Sequence, residues 1–283
     1  MPTLKGIKNR ISGIEKIKKV ASAMEIVALT RLRRIERKTQ DARSYFDMIH
    51  DLVVDVANNL IYEAHPFLRE RKKIKRTAVI LITSDKGLCG NFNTNIFNAF
   101  KEFLSSQANG EIIGIPIGKK AERFLNKNNI KKIDLTPPSS SVSRPYLSSA
   151  ISIAERVSQM YLEREVDQLI VIFNKFKLQF LGRASTLKLL PLKLEGFKVK
   201  RVRDYIYEPK AYTVLDKLLK EYLINQIGQT VLESNASEEM ARMLAMKQAC
   251  DNANEVIDKL NLNYHKARQA NITRELIEIT TVV

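Results

Sequence analysis

Helix breakers are missing from both ends of this chain. There is no glycine or proline from Gln229 to Val283, or from Ile14 to His65; apart from Pro2, Gly6 and Gly13, all 10 glycines and 8 prolines fall between Pro66 and Gly228. Each end can therefore form one unbroken helix, and irregular or β structure is confined to the middle. Cysteine is scarce as well. Cys89 and Cys250 lie far apart, with neither CxxC nor metal-ligand spacing, which argues for reduced thiols that fill space. The histidines His50, His65 and His265 show no metal spacing, so no metal site is expected. No apolar run reaches the roughly 18 residues a membrane-spanning helix needs. The opening MPTLKGIKNRISGIEK has charges where a signal peptide has its apolar centre, so a soluble, intracellular-type protein is expected.

Acidic residues are also outnumbered, 31 against 47 basic, for a net charge of +16. Much of the excess sits in the first forty residues, where Lys5, Lys8, Arg10, Lys16, Lys18, Lys19, Arg31, Arg33, Arg34, Arg37 and Lys38 face only Glu15, Glu25 and Glu36. Such a basic rod suits nucleic acid, anionic lipid or an acidic protein surface, and charge alone does not choose among them. Aliphatic residues interleave the charges instead of aromatics or glycines, so no base-stacking platform or flexible arm is evident.

What the ends do contain is a heptad. Met243, Met246, Cys250, Ala253, Ile257, Leu260, Tyr264 and Ala267 recur at steps of three and four, as do Ile7, Ile11, Ile14, Ile17, Ala21, Met24, Ala28, Leu32 and Ile35. Two narrow seams in one chain predict an antiparallel coiled coil of the N- and C-terminal helices. A helix of about 50 residues is roughly 75 Å long, far beyond the usual 11 or so residues. A structural spacer and a partner-binding rod both fit that periodicity.

The middle reads as a separate α/β domain. RTAVILIT is a continuous β-branched run of the kind buried in a parallel sheet, and EIIGIPI and DQLIVIFNKF follow as further strands. Helices are expected over Asn93–Ser106, Lys119–Asn126 and Tyr146–Glu163, with a Pro/Ser loop around Pro137 and Pro138. Gln179–Pro191 and Val199–Tyr207 read as strands or extended segments, and the chain turns helical again from Pro209. The domains are then the helix 1–65, a Rossmann-like α/β domain 66–208 and the helix 209–283.

The turn SDKGLCGNFN stands between a strand and a helix, where α/β folds hold anions. Gly87 and Gly90 match neither GxGxxG nor the P-loop pattern, so the expected role is a tight turn with Cys89 packed inside and Asp85 or Asn93 capping. Glu238 and Glu239 after Ser237 read as a helix cap. No nucleophile and base assemble, so no catalytic residue, cofactor or small-molecule ligand is expected.

Three blocks, IKNRISGIEKIKKVASAMEIVALTRLRR, SDKGLCGNFN and SEEMARMLAMKQACDNANEVIDKLNLNYHKARQANITRELIEI, with DYIYEP at Asp204–Pro209, carry a whole-length resemblance. The chain resembles the γ subunits of F-type ATP synthases, the central shaft of the rotary motor. The resemblance implies a non-catalytic rotor whose coiled coil enters a ring of α and β subunits, and whose turning couples proton flow to ATP synthesis or hydrolysis. It implies β-subunit contacts at Met24, Arg31, Arg33, Arg34, Arg268, Gln269, Thr273 and Glu275. Contacts with the membrane c-ring and the ε subunit are implied at Tyr205, Tyr207 and Glu208. It further implies a peripheral location on the cytoplasmic face of a bacterial inner membrane. His265 and Lys266 stand where the family more often has Asn and Arg, and TTVV replaces a Gly/Ala-rich tail. The competing reading is a basic coiled-coil protein that binds nucleic acid.

Overall fold

The computed structural model describes residues 3–59, 65–71, 73–106, 110–135, 145–176, 184–193 and 206–281. Its elements are α1 (Leu4–Asn59), β1 (Arg76–Ile82), α2 (Phe92–Ser106), β2 (Glu111–Ile117), α3 (Lys119–Lys127), α4 (Pro145–Leu162), β3 (Gln168–Asn174), β4 (Ala184–Leu190) and α5 (Ala211–Thr281). Chain contacts divide it into two compact units: residues 1–31 with 242–283, and residues 32–241.

The terminal unit is the predicted pair of helices. Ile7, Ala21 and Ala28 are buried on α1, as are Met246 and Ala253 on α5, with Ile11, Ile14, Ile257, Leu260, Tyr264 and Ala267 half-buried. The Cys250 thiol donates to the Lys18 carbonyl at 3.7 Å, which sets the register. With 18 opposite 250, an antiparallel pairing brings the first residue of α1, Leu4, opposite Tyr264. Among the described residues, no α5 position after Ala267 is buried, as expected where α5 runs past Tyr264, the position opposite the first residue of α1.

Two seam residues are corrected. Ile17 is 63% exposed and Lys18 is half-buried in its place, and half-buried Glu25 takes the seam position expected for Met24, which moves to the flank. The packed positions 7, 11, 14, 18, 21, 25 and 28 keep a strict four-three alternation, and Ile17 would require two successive steps of three. The helix also begins ten residues earlier than the breaker-free stretch. Thr3 Oγ1 accepts from the Gly6 N–H at 3.3 Å and the Thr3 carbonyl accepts from Ile7 N at 3.1 Å, an N-cap that starts α1 ahead of both glycines.

The second unit is a four-stranded sheet in the order β2-β1-β3-β4. β1 pairs parallel with β2 and β3, and β4 runs antiparallel to β3. Successive strand residues alternate between two cores. Ala78, Ile80, Ile82, Leu169, Val171 and Phe173 pack with α1 residues 49–57, α4 and α5 residues 215–231. Val79, Leu81, Ile170 and Ile172 pack with Phe92, Ile96 and Phe100 of α2 and Ala121 and Leu125 of α3. Burial on both faces explains why these strands are runs of Ile, Val and Leu without polar alternation.

The capping role expected for Ser237, Glu238 and Glu239 is overturned. α5 passes through them without a break from Ala211, and Ser237 and Glu239 are buried along it. Val199–Tyr205 lies outside the described residues, and Ile206 and Tyr207 are not in a strand.

Candidate functional site

The place where this sheet topology would hold a ligand is the crevice at the carboxyl end of β1, between its connections to β2 and β3. The chain fills it with its own groups. Asp85 Oδ1 accepts from the Lys119 N–H at 3.0 Å, and Thr83 Oγ1 accepts from the Ala121 N–H at 2.8 Å. These oxygens take the N-terminal donors of α3 that an anion would otherwise use. Ser84 Oγ donates to the Lys86 carbonyl at 2.7 Å and accepts from Asn93 Nδ2 at 2.8 Å, while Asn93 Oδ1 accepts from Ser84 N at 3.1 Å. Cys89 is buried against Asn93 Nδ2 at 3.3 Å.

Asp85 thus caps α3, and Asn93 closes the turn before α2. The left-handed residues here are Leu88 (φ 63°) and Gly90 (φ 53°), so Gly90 and not Gly87 is the glycine the turn requires. Gly118 (φ 96°) lets the β2–α3 turn approach so closely that a Cβ would stand 2.2 Å from the Thr83 carbonyl oxygen. The arrangement can lock two turns together. It holds no general base beside a nucleophile, and among the described residues no group of three His, Cys, Asp or Glu side chains could ligate a metal.

The residues expected to meet partners lie elsewhere. In the terminal unit, Arg268, Gln269 and Thr273 are exposed on α5 past the last covered seam position, and the Thr273 hydroxyl donates to the Gln269 carbonyl at 2.9 Å. That internal bond leaves Thr273 a methyl and an acceptor to present outward. Glu275 lies on the same helix, its side chain outside the described residues. Met24 is half-buried at the flank of the α1 seam, and Arg31 is exposed on α1. Arg33 and Arg34, also exposed on α1, belong to the second unit.

At the start of α5, Tyr205 lies outside the described residues, Tyr207 is half-buried against the sheet core, and Glu208 is exposed. Of the two described residues in that set, Glu208 is the exposed one.

Sequence reading missed several exposed apolar groups. Ile17, Val20 and Val27 are 63%, 61% and 50% exposed and, with Met24, form a second stripe on α1 at steps of three and four. Ile272 and Leu276 are 45% and 58% exposed near the end of α5, and Ile206 is fully exposed beside Tyr207. The only sequence signal for the α1 stripe was an apolar arc too wide for a two-helix seam. Ile206, between two tyrosines, reads as an ordinary strand residue.

Comparison with known proteins gives one family. The family described as ATP synthase matches residues 3–282. The ATP synthase gamma chain of Chlorobaculum tepidum is 36% identical over 99% of this chain and 97% of its own length. That of Paraburkholderia phymatum is 36% identical and that of Fusobacterium nucleatum 33%, each over 99% of this chain and 98% of the relative. Among solved structures, a chain of the Euglena gracilis mitochondrial ATP synthase (OSCP/F1/c-ring, rotational state 3) superposes with a TM-score of 0.63 at 17% identity, covering 99% of this chain and 93% of that one. A chain from the central stalk/c-ring structure of the Tetrahymena thermophila mitochondrial enzyme gives 0.59 at 23% identity, covering 81% and 99%. At such identities the two structures speak for the fold.

Proposed function

Since the chain belongs to the γ-subunit family of F-type ATP synthases, the non-catalytic central-stalk subunits, we propose that it transmits rotation between a membrane ring and the catalytic hexamer of such an enzyme. The observation that supports this most is the profile of the terminal unit. It is a two-helix rod, slim where alanine fills the seam at Ala21, Ala28 and Ala253, with the described α5 residues past Ala267 all exposed. Such a rod is lopsided about its axis, and surrounding subunits would meet a different face at each angle.

On this reading the α and β subunits surround the rod. Arg268, Gln269, Thr273 and Glu275 contact β subunits from α5, and Met24, Arg31, Arg33 and Arg34 from α1. The basic first forty residues suit acidic loops on the sleeve. Tyr205, Tyr207 and Glu208 meet the c-ring and the ε subunit, with Ile206 as an apolar neighbour available to the same contact. None of these contacts places chemistry on this chain. The free energy of proton flow reaches the nucleotide sites as a change of shape imposed on the β subunits.

The complex would hold the protein at the cytoplasmic face of a bacterial inner membrane. No described helix is long and apolar enough to cross a membrane. The reading as a nucleic-acid-binding coiled coil rested on the basic charge and finds no support in these matches.

Reconstitution tests the proposal. The chain is combined with α and β subunits and ATP hydrolysis is followed across substrate concentration, with rotation recorded from a probe on the α/β unit. Cooperative hydrolysis and unidirectional stepping that both require the chain are expected. The same three-site cooperativity with the chain omitted would overturn the coupling role.

A further inference from the structure

α1 carries another apolar surface that neither its seam nor the contacts above use. Within the α/β unit, Tyr45, Met48 and Leu52 are 50%, 60% and 44% exposed and follow one another at steps of three and four, which puts them on one stripe. Ile49, Val53 and Val56, on the adjacent face, are buried in the sheet core. At about 100° per residue, Asp41 continues the stripe towards the N-terminus, and Asp51 and Asp55 border it on the side away from the core. Asp41 and Asp51 are exposed and Asp55 is half-buried.

A further carboxylate comes from α5, where Glu221 Oε1 accepts from the Tyr45 hydroxyl at 3.3 Å. Of the basic groups on this part of α1, Arg37 stands one turn before Asp41 on the same stripe and Arg43 falls on the opposite side of the helix, while the His50 ring lies tilted against Tyr222 at 5.8 Å with its Nδ1 3.6 Å from Asp51 Oδ1. From Asp41 to Asp55 the stripe is therefore acidic along its solvent edge, in a protein of net charge +16 and beyond the basic turn that ends at Arg37.

We propose that Tyr45, Met48 and Leu52 form a docking surface for a basic amphipathic helix of a partner chain. Charge complementarity selects the occupant. An anionic lipid surface or nucleic acid would be repelled by Asp41, Asp51 and Asp55, and an acidic helix likewise. A helix with Leu or Ile at matching steps and Lys or Arg beside them would cover the stripe and pair with its edge. Met48 suits this role because its unbranched thioether adapts to differently shaped partners. The surface is distinct from the positions assigned above to the β subunits, the ring and ε, and the inference does not depend on the rotary reading.

The test uses the full chain and a fluorescein-labelled, 18-residue Leu/Lys amphipathic peptide, with its Leu/Glu counterpart as control, in fluorescence anisotropy titrations at physiological ionic strength. Saturable binding of the Leu/Lys peptide alone is expected. Met48→Asp with Leu52→Asp should weaken it about tenfold or more, and Asp41→Asn with Asp51→Asn should flatten its salt dependence. All four positions are solvent-facing, and Met48→Gln with Leu52→Gln gives a second pair should the aspartates lower helicity by circular dichroism. Absence of binding, equal binding of both peptides, or Leu/Lys binding indifferent to the Met48 and Leu52 changes would overturn the proposal. A photoreactive residue at position 48 in the purified complex should label a Lys/Arg-edged helical segment of another subunit. Labelling of lipid, or of an acidic segment, would overturn it too.

Discussion

Replacing Gly118 with alanine would put a methyl group where the chain has already placed a backbone. The new Cβ would stand 2.2 Å from the Thr83 carbonyl oxygen, 2.9 Å from its carbon and 3.0 Å from Thr83 Oγ1. The backbone there has φ 96° and ψ 145°, an extended positive-φ conformation open essentially to glycine, which costs another residue about 1–3 kcal/mol. Moving Thr83 away by roughly an ångström would disrupt two hydrogen bonds, from Thr83 N to the Ile117 carbonyl (2.8 Å) and from Ala121 N to Thr83 Oγ1 (2.8 Å). At about 1 kcal/mol each, the sum is about 3–5 kcal/mol, or roughly 10 °C in the melting of a unit of this size. Gly87 in the preceding turn is the internal control: nothing lies within 4 Å of its would-be Cβ, so Gly87→Ala should stay within about 0.5 kcal/mol of the parent. Urea unfolding of the full chain, followed by near-ultraviolet circular dichroism of its tyrosines, measures both. A Gly118→Ala loss below about 1 kcal/mol, or a Gly87→Ala loss as large as that of Gly118→Ala, would refute the reasoning about this crevice.

Other perturbations separate surface from scaffold. Arg268→Ala and Gln269→Ala should leave unfolding within about 0.5 kcal/mol of the parent while weakening ATP-driven rotation in the reconstituted complex; unfolding of either variant would contradict their exposed placement. Ala253→Pro removes a helical hydrogen bond at a buried seam position and should cost about 3 kcal/mol or more, visible as lost helicity and lost coupling. Arg71 donates to the Val166 carbonyl at 2.9 Å and to Asp167 Oδ1 at 2.7 Å, and stacks on Tyr161 at 4.3 Å. Arg71→Leu should cost about 3 kcal/mol in urea, because Asp167 keeps only the Lys75 and Arg76 N–H donors and loses its cation, while the Val166 and Tyr161 carbonyls lose their guanidinium donor. His65 accepts from Phe67 N through Nδ1 at 3.2 Å and meets Asp216 through Nε2 at 3.3 Å; burial first, opposed by Asp216, holds its pKa below the usual imidazole value. The unfolded chain then binds the proton more readily, so the His65 contribution is complete above the ordinary imidazole pKa and is lost as pH falls from there through the depressed value. His65→Gln should flatten the fall in urea midpoint between pH 7.5 and pH 5, and an unchanged slope would clear His65 of the effect.

The parts legible in advance were those where a residue's neighbours along the chain decide its state. β1, β2 and β3 are apolar runs because both sheet faces are covered, and α2, α3 and α4 begin and end within a residue or two of their expected bounds. What escaped depended on groups distant in sequence or on exact phase. Asp85 caps a helix that starts 34 residues later, so its turn looked like a local cap. Ile17 was placed on the seam by hydrophobicity, although the heptad phase chooses Lys18. Ser237–Glu239 has the composition of a cap, yet packing carries α5 straight through it. Among the positions proposed to face partners, Arg268, Gln269 and Thr273 rest on resemblance, since an exposed polar helix face has the same pattern whatever touches it. The Tyr45–Met48–Leu52 stripe was hidden in a helix whose apolar residues all seemed assigned to packing.

The most direct measurement is a cross-link within the rod. With Cys89 replaced by serine, Lys18→Cys stands opposite Cys250, whose thiol lies 3.7 Å from the residue 18 carbonyl. Mild oxidation of the assembled complex should join the two ends in nearly every molecule and leave ATP-driven rotation unchanged, because both helices turn as one body. Failure of the disulfide to form, or rotation that stops when it does, would contradict a rigid shaft made from the two ends of the chain.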